Sequence, residues 1–321
     1  MRILIIGAAG MIGRKLVEHV ARDGSLGADS ISTMRLVDVV PPAVMPAGKV
    51  KVEIGVADLA EAGVAETLLA DRPEVIVDLA AVVSGEAERD FAKGYRVNLD
   101  ATRHLLEAAR LAGNEYRPRL VFSSSVAVFG PPMPDVIGDE QATTPATSYG
   151  TQKAIVELLL ADYSRRGYID AVGIRLPTIC VRPGAPNQAA SGFFSNIIRE
   201  PLHGRPAVLP VSPDVRHWFA SPRAAVQFIV HAATMDTSAL GLHRSLTMPG
   251  VAATVAEEIE ALRRAAGDAA VELIRSEPDA AIAQIVSGWP QAFDARRAMA
   301  LGFAAERDFD EIVRVYLEDE L

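Results

Sequence analysis

The chain has 321 residues, half of them hydrophobic and 23% charged, with 32 Lys+Arg against 41 Asp+Glu and a formal net charge of −9. That length allows one large or two interleaved domains with an ample core, and that balance excludes a disordered, collagenous or coiled-coil chain. The acidic sign disfavours nucleic acid and anionic membrane as partners, while leaving room for an anionic small molecule in a local basic pocket.

In chain order, residues 2–6 read as a first strand that runs straight into Gly7-Ala-Ala-Gly10-Met11-Ile12-Gly13, the opening of a helix over 11–22. Gly7 permits a tight turn, Gly10 lets backbone approach a pyrophosphate, and Gly13 lets the helix pack on the strand; the helix N-terminus favours the anion. A second strand, 34–37, ends at Asp38, 25 positions after Gly13. An acid there accepts hydrogen bonds from an adenosine ribose and repels a 2′-phosphate, and Val39 and Val40 bring no arginine for that phosphate. The expected cofactor is therefore NAD; the plainer alternative is that Asp38 caps a turn. A third strand over 50–54 leads to Asp58-Leu59 and a helix over 59–70. Asp58 either meets the adenine edge or caps that helix.

The fourth strand, 75–79, precedes a long, broken helical stretch over 86–112. The fifth, 119–123, ends in Ser123-Ser-Ser125. A helix over 149–166 begins Ser148-Tyr-Gly-Thr-Gln-Lys153, and a sixth strand covers 171–175. Tyr149 and Lys153, at i and i+4, share one helical face. An ammonium beside a phenol favours the phenolate, a competent general base for a secondary alcohol. The Ser125 hydroxyl is suited to hold the substrate oxygen. Beyond 175 the pattern loosens. Residues 177–188 are a Pro-rich loop, 192–203 and 222–233 are helical, and Thr254 with Glu257 forms a capping box for a helix to Ala266. Asp294 caps a helix over 295–301 that Gly302 stops.

Strands alternating with helices predict an α/β fold, a doubly wound parallel sheet of the Rossmann kind, with a smaller mixed α/β substrate domain. The first domain spans about 1–177 with returning segments at about 215–250; the second takes about 178–214 and 251–321. Cys180 alone excludes an intramolecular disulfide, and the six histidines have no ligand spacing, so no metal is expected. With no apolar run of 18 residues and no signal-like h-region, no membrane association and a cytoplasmic location are expected.

The set Gly7-x-x-Gly10-x-x-Gly13, Asp58-Leu59, Leu79-Ala-Ala81, Asn98, Ser123-Ser-Ser125, Tyr149-x-x-x-Lys153 and Arg175-Leu-Pro177 resembles the extended short-chain dehydrogenase/reductase superfamily along the whole chain. The resemblance implies Tyr149 as base, Lys153 as a further contact to the nicotinamide ribose, and Ser125 as third catalytic group. It places Ala80, Asn98, Ser123 and Pro177 along the cofactor, with Met11, Ile12 and Leu59, and implies a homodimer. Phe129 stands where many members carry Tyr, so that hydroxyl's role is absent. Within the superfamily, the runs 80–86, 148–154, 174–184 and 214–218 resemble dehydrogenases that oxidise the C2 hydroxyl of a short sugar acid with NAD.

Such an acid needs a cation, and Arg182 and Arg216 lie in segments expected to face the nicotinamide; each could equally pair with a structural carboxylate. Ser84, Thr178, Asn187 and His217 are candidate hydroxyl contacts, although a satisfied packing histidine is the plainer reading of His217. A nucleotide-sugar epimerase or dehydratase is the alternative function, and a silent NAD-binding scaffold a third that the intact Ser125, Tyr149 and Lys153 argue against.

Overall fold

The computed structural model describes residues 1–43, 50–113, 115–184 and 190–321. By contacts the chain forms two compact units. One comprises Met1–Val128, Thr147–Arg175 and Val226–Leu246; the other comprises Phe129–Ala146, Leu176–Ala225 and Thr247–Leu321.

The first unit is built on seven strands: β1 (Arg2–Ile6), β2 (Thr33–Asp38), β3 (Lys51–Val56), β4 (Val75–Asp78), β5 (Arg119–Ser125), β6 (Asp170–Leu176) and β7 (Ser245–Thr247). Their order in the sheet is β7-β6-β5-β4-β1-β2-β3. The pairings from β3 through β5 are parallel, with Ile3 opposite Met34 on one side and Val75 on the other. Ile3 to Ile6 and Val75 to Asp78 are all buried, as strands covered on both faces require. The direction of winding reverses between β1 and β4, and in such sheets the crevice at that reversal takes the ligand.

Helices α1 (Met11–Asp23), α2 (Val64–Leu69), α3 (Ser84–Arg89), α4 (Phe91–Tyr95), α5 (Ala101–Leu111) and α6 (Ser148–Arg165) connect these strands. α1 buries Gly13, Leu16, Val17 and Val20, one face at helical spacing, and ends at Gly24 in the left-handed region. The helix expected over 59–70 starts five residues later than predicted. Asp58 folds back on the Ala60 N–H, and Gly63, at φ 81°, resets the backbone before Val64. The break expected within 86–112 falls at Asp90, whose side chain accepts from the Lys93 N–H and so starts α4 afresh. Between α4 and α5 the chain makes one π-helical turn, Arg96–Asp100, carrying the buried Asn98.

At the far side of the sheet Asp170 gathers three partners. Arg119 reaches it at 2.8 Å, Thr237 donates its hydroxyl at 2.8 Å, and Arg244 pairs with it directly. Beside it Gly173 lacks the Cβ that would sit 2.4 Å from Ser245 Oγ, which lets β7 lie close against β6.

In the second unit Arg216–Ala220 is the middle strand of three, antiparallel to Val251–Thr254 and parallel to Thr178–Ile179. A second small sheet pairs Ala207–Leu209 with Ile274–Ser276. The core joins Phe194, Ile197 and Ile198 of helix Gly192–Leu202 to Phe219, Val255, Leu262 and Ile312. The Thr254/Glu257 capping box forms as expected and opens helix Val255–Ala266. Asp294 accepts from the Arg296 N–H at the head of the predicted short helix. Helices Ala280–Ser287 and Phe309–Glu320 were not expected; Asp279 and Asp308 cap them. Among the described residues no helix is long and apolar enough to cross a membrane, and no group of three or more His, Cys, Asp or Glu could hold a metal ion.

His217 is the packing histidine. It is 3% exposed and stacks on Phe194. Its Nδ1–H donates to the Pro290 carbonyl at 2.9 Å, which leaves Nε2 to accept from the Thr178 hydroxyl at 2.7 Å. Burial pulls its pKa from 6.5 down to about 4. Below pH 6.5 the unfolded chain therefore takes a proton that the native chain refuses, so stability falls as pH drops from about 6.5 to about 4. The full loss is about 3 kcal/mol. Urea unfolding of the native chain at pH 7 and pH 4.5 should register most of it, and His217→Gln should flatten that part of the slope. Parallel pH dependences for the two proteins would remove His217 as the cause.

Candidate active site

The glycine turn, Asp38, the β5 serines, Tyr149 and Lys153 all lie in the first unit. Gly7 sits at the reversal point: its N–H donates to Val37 O at 2.9 Å, its φ is 83°, and a Cβ would meet Ala80 N at 2.8 Å. Gly13 is equally confined, because a Cβ there would lie 2.3 Å from Gly7 O. Gly10 differs. A Cβ on it would meet only Gly7 O, at 3.3 Å, so the fold itself leaves the space above this turn open. Gly10 offers no side-chain cap to α1 and the first turn carries no acid, so the N–H groups of Met11, Ile12 and Gly13 point out as donors. Open space, outward donors and the positive end of a helix fit a diphosphate. These residues are therefore suited to hold NAD.

Asp38 anchors the same turn. One carboxylate oxygen accepts from Ala9 N at 2.9 Å and the other from Val39 N at 2.7 Å. The expectation of a ribose acceptor and the alternative of a turn cap are compatible here, since an ionised carboxylate has about four acceptor sites. Asp38→Ala should narrow the preference for NAD over NADP by about tenfold to a hundredfold, the scale of a hydrogen bond to a charged group. Values of kcat/KM with both cofactors test this; an unmodified protein that uses NADP as well as NAD would refute it.

Further along the crevice edge, β5 delivers three serines with three different partners. Ser123 donates its hydroxyl to Asp78 O at 3.1 Å, and Ser124 donates to the Glu157 carboxylate at 2.5 Å. Ser125 Oγ accepts from Ala127 N at 3.1 Å. α6 is capped by Thr147, whose side chain accepts from Gly150 N. This start places Tyr149 half-buried one turn ahead of Lys153. Lys153 is 1% exposed. Its Nζ donates to Ser123 O at 2.7 Å and lies 4.4 Å from the Phe122 ring centre and 5.7 Å from that of Tyr149. Burial brings its pKa down to about 8, against the pull of Asp78 and Glu157. Ser125, Tyr149 and Lys153 thus come from the end of β5 and the first turns of α6, as their spacing predicts.

Asn98 and Ala80 are joined to this frame. Asn98 accepts from Val82 N at 2.9 Å, donates to Val82 O at 3.2 Å and donates to Gln152 Oε1 at 2.7 Å. It so ties the segment after β4 to α6. Gln152 was not foreseen; neither was Glu157, which Arg175 grips with two nitrogens, nor the buried Asp78. Signals existed: Glu157 continues the Tyr149, Lys153 stripe at i+8, and Asp78 is an acid at the end of an otherwise apolar strand.

A model of the NAD dependent epimerase/dehydratase family matches residues 3–239. The chain belongs to that family. It is an NAD-dependent enzyme. Two curated relatives, each a D-erythronate dehydrogenase, match it throughout. The one from Cupriavidus necator is 47% identical over 99% of this chain and 98% of its own length; the one from Haemophilus influenzae is 39% identical over the whole of both. A solved structure described as the nucleoside-diphosphate-sugar epimerase from Agrobacterium tumefaciens is 57% identical, with a TM-score of 0.98 over all of this chain and 94% of that one.

The remaining family positions vary in how they are placed. Asp58 carries an ion pair with Arg96 at 2.6 Å as well as its bond from Ala60 N. The Leu59 side chain is core, 4% exposed, which leaves only its backbone for a ligand. Ser84 opens α3 and is half-buried. In the second unit Pro177 is buried, and the Thr178 hydroxyl is engaged with His217. Arg182 is half-buried, its guanidinium donating to Ile179 O and Ser191 Oγ. Arg216 is 39% exposed, near Glu257 at 3.7 Å and Ala252 O at 3.2 Å. Asn187 lies outside the described residues.

Proposed function

We propose that this enzyme oxidises the C2 hydroxyl of a short sugar acid, D-erythronate, to the 2-oxo acid. The full-length similarity to two D-erythronate dehydrogenases supports the substrate. The Lys153 ammonium, 5.7 Å from the Tyr149 ring centre, carries the reaction type.

In this reading Tyr149, as phenolate, takes the hydroxyl proton while the C2–O bond becomes a carbonyl. The bound nicotinamide accepts the C2 hydride. Lys153 stabilises the phenolate by charge and is held by Ser123 O. Ser125 Oγ already accepts from Ala127 N, so its own proton is aimed elsewhere and serves the substrate oxygen. Arg182 grips the carboxylate, and the active form is a homodimer.

An epimerase acting on a nucleotide sugar is the second reading, favoured by the description of the 57% identical structure. A panel of short sugar acids and nucleotide sugars separates the two, scored by NADH absorbance and by epimer formation. D-erythronate-dependent NADH is the expected result. Turnover of a nucleotide sugar alone would replace this proposal with the second reading.

A further inference from the structure

Lys153 is a buried cation, 1% exposed, so its charge needs a source of support within the protein. From α6 it faces Tyr149 and Glu157; from β5, the Phe122 ring and the Ser123 carbonyl; from β4, Asp78; and from β6, Arg175 acts through Glu157. Glu157 brings little net negative charge, because Arg175 holds it with two nitrogens and Ser124 donates to it as well.

Asp78 is different. It is 1% exposed, and among the described residues its two carboxylate oxygens accept from neutral groups, Thr102 Oγ1 at 2.9 Å and Ala80 N at 3.3 Å. It lies opposite Phe122 in the β4–β5 register, and the Phe122 ring carries the Lys153 ammonium 4.4 Å from its centre. Its own carbonyl takes the Ser123 hydroxyl, and the Ser123 carbonyl takes Lys153 Nζ. A buried carboxylate without a cation of its own and a buried ammonium without an anion of its own are thus set on adjacent strands and one helix.

We propose that Asp78 is a positioning residue of the reaction, its carboxylate keeping Lys153 charged so that Tyr149 can ionise. This rests on the reading of Tyr149 as the base. Burial raises the Asp78 carboxyl, and the Lys153 charge, Thr102 and Ala80 pull it back; the same attraction raises Lys153 against its own burial. Each charge is the other's condition.

Asp78→Asn tests this with little steric change. The amide oxygen can accept from Ala80 N, and the Thr102 hydroxyl can turn to accept from the amide nitrogen. The primary readout needs neither cofactor nor substrate. Tyrosinate absorbance is followed against pH in the unliganded protein, and subtraction of a Tyr149→Phe titration isolates Tyr149 among the six tyrosines. If Asp78 sustains the Lys153 charge, its loss lets Lys153 shed its proton sooner, and Tyr149 ionises about one pH unit higher. The rising limb of turnover in the oxidation direction should move the same way.

If Asp78 acted on Tyr149 only directly, removing a negative charge would move the ionisation down. If it were merely structural, nothing would move. Either result overturns the proposal. Thr102→Val provides a second variant, should Asp78→Asn fold poorly. It strips the carboxylate of its hydroxyl donor and should give a smaller upward shift, and a superposable titration there counts against the proposal too. Near-normal turnover in Tyr149→Phe would sink the base assignment, while the tyrosinate titration would still report on Asp78 and Lys153.

Discussion

Tyr149→Phe is expected to lower turnover about a hundredfold or more, the usual scale for a positioned general base, while NAD affinity stays near its native value. The ring itself remains, so the 5.7 Å contact between the Lys153 ammonium and the aromatic face persists. Only the proton acceptor is lost, and the deficit should therefore appear in kcat. Lys153→Ala should harm both binding and turnover, and also stability, because Nζ holds the Ser123 carbonyl inside the first unit. In the oxidation direction the native enzyme should gain activity with rising pH as Tyr149 loses its proton. Steady-state kinetics beside calorimetric NAD binding checks each point. Near-normal kcat for Tyr149→Phe would remove it from the chemistry.

Arg182→Met is expected to cut kcat/KM for the sugar acid about thirtyfold to several thousandfold. That is the consequence of about 2–5 kcal/mol for stranding one member of a buried charged pair. Arg216→Met should cost much less. Arg216 already leans towards the Glu257 carboxylate, and a second anion brought there would be repelled. Arg182 has its guanidinium oriented by Ile179 O and Ser191 Oγ, the kind of fixing that bidentate recognition needs. NAD affinity should be unaltered in both variants, and the matching neutral sugar alcohol should be a poor substrate for the native enzyme. A small effect from Arg182→Met with a large one from Arg216→Met would reverse the assignment.

The legible parts of the sequence were those where a local rule and the global fold agree. Residues 2–13 announce strand, turn and helix, and the structure forms all three elements with Gly7 and Gly13 confined as their backbone roles require. Tyr149 and Lys153 were readable because helical spacing alone puts them on one face. Thr254 and Glu257 were readable because a capping box is a contact over three residues.

What escaped depends on contacts between distant segments. The Asn98–Gln152 bond joins residues 54 apart, and it constrains Gly94, where a Cβ would strike Gln152 Nε2 at 2.7 Å. The partners of Asp78 come from α5, α6 and the loop after β4, and no periodicity encodes that meeting. Asp58 drew two partners where sequence offered a choice of roles, because a carboxylate can serve a backbone N–H and an arginine together. The helix at Phe309–Glu320 was missed although Asp308, Asp310 and Glu311 mark its start.

The cluster at Asp170 bears on how the chain is made. Arg119 and Asp170 leave the ribosome early, but Thr237, Arg244 and β7 follow only after the segment 176–225, which belongs to the other unit. A nascent chain that has reached residue 200 carries β6 as a bare sheet edge, with Gly173 offering no side chain to shield it and Asp170 lacking two of its partners. Edges of that kind recruit foreign strands, so between residues 176 and 247 of synthesis β6 stands open to such pairing. A fragment ending near 176 inherits that edge permanently. The first unit is contiguous in space but not in time, and it is complete only after nearly half of the other unit has been translated.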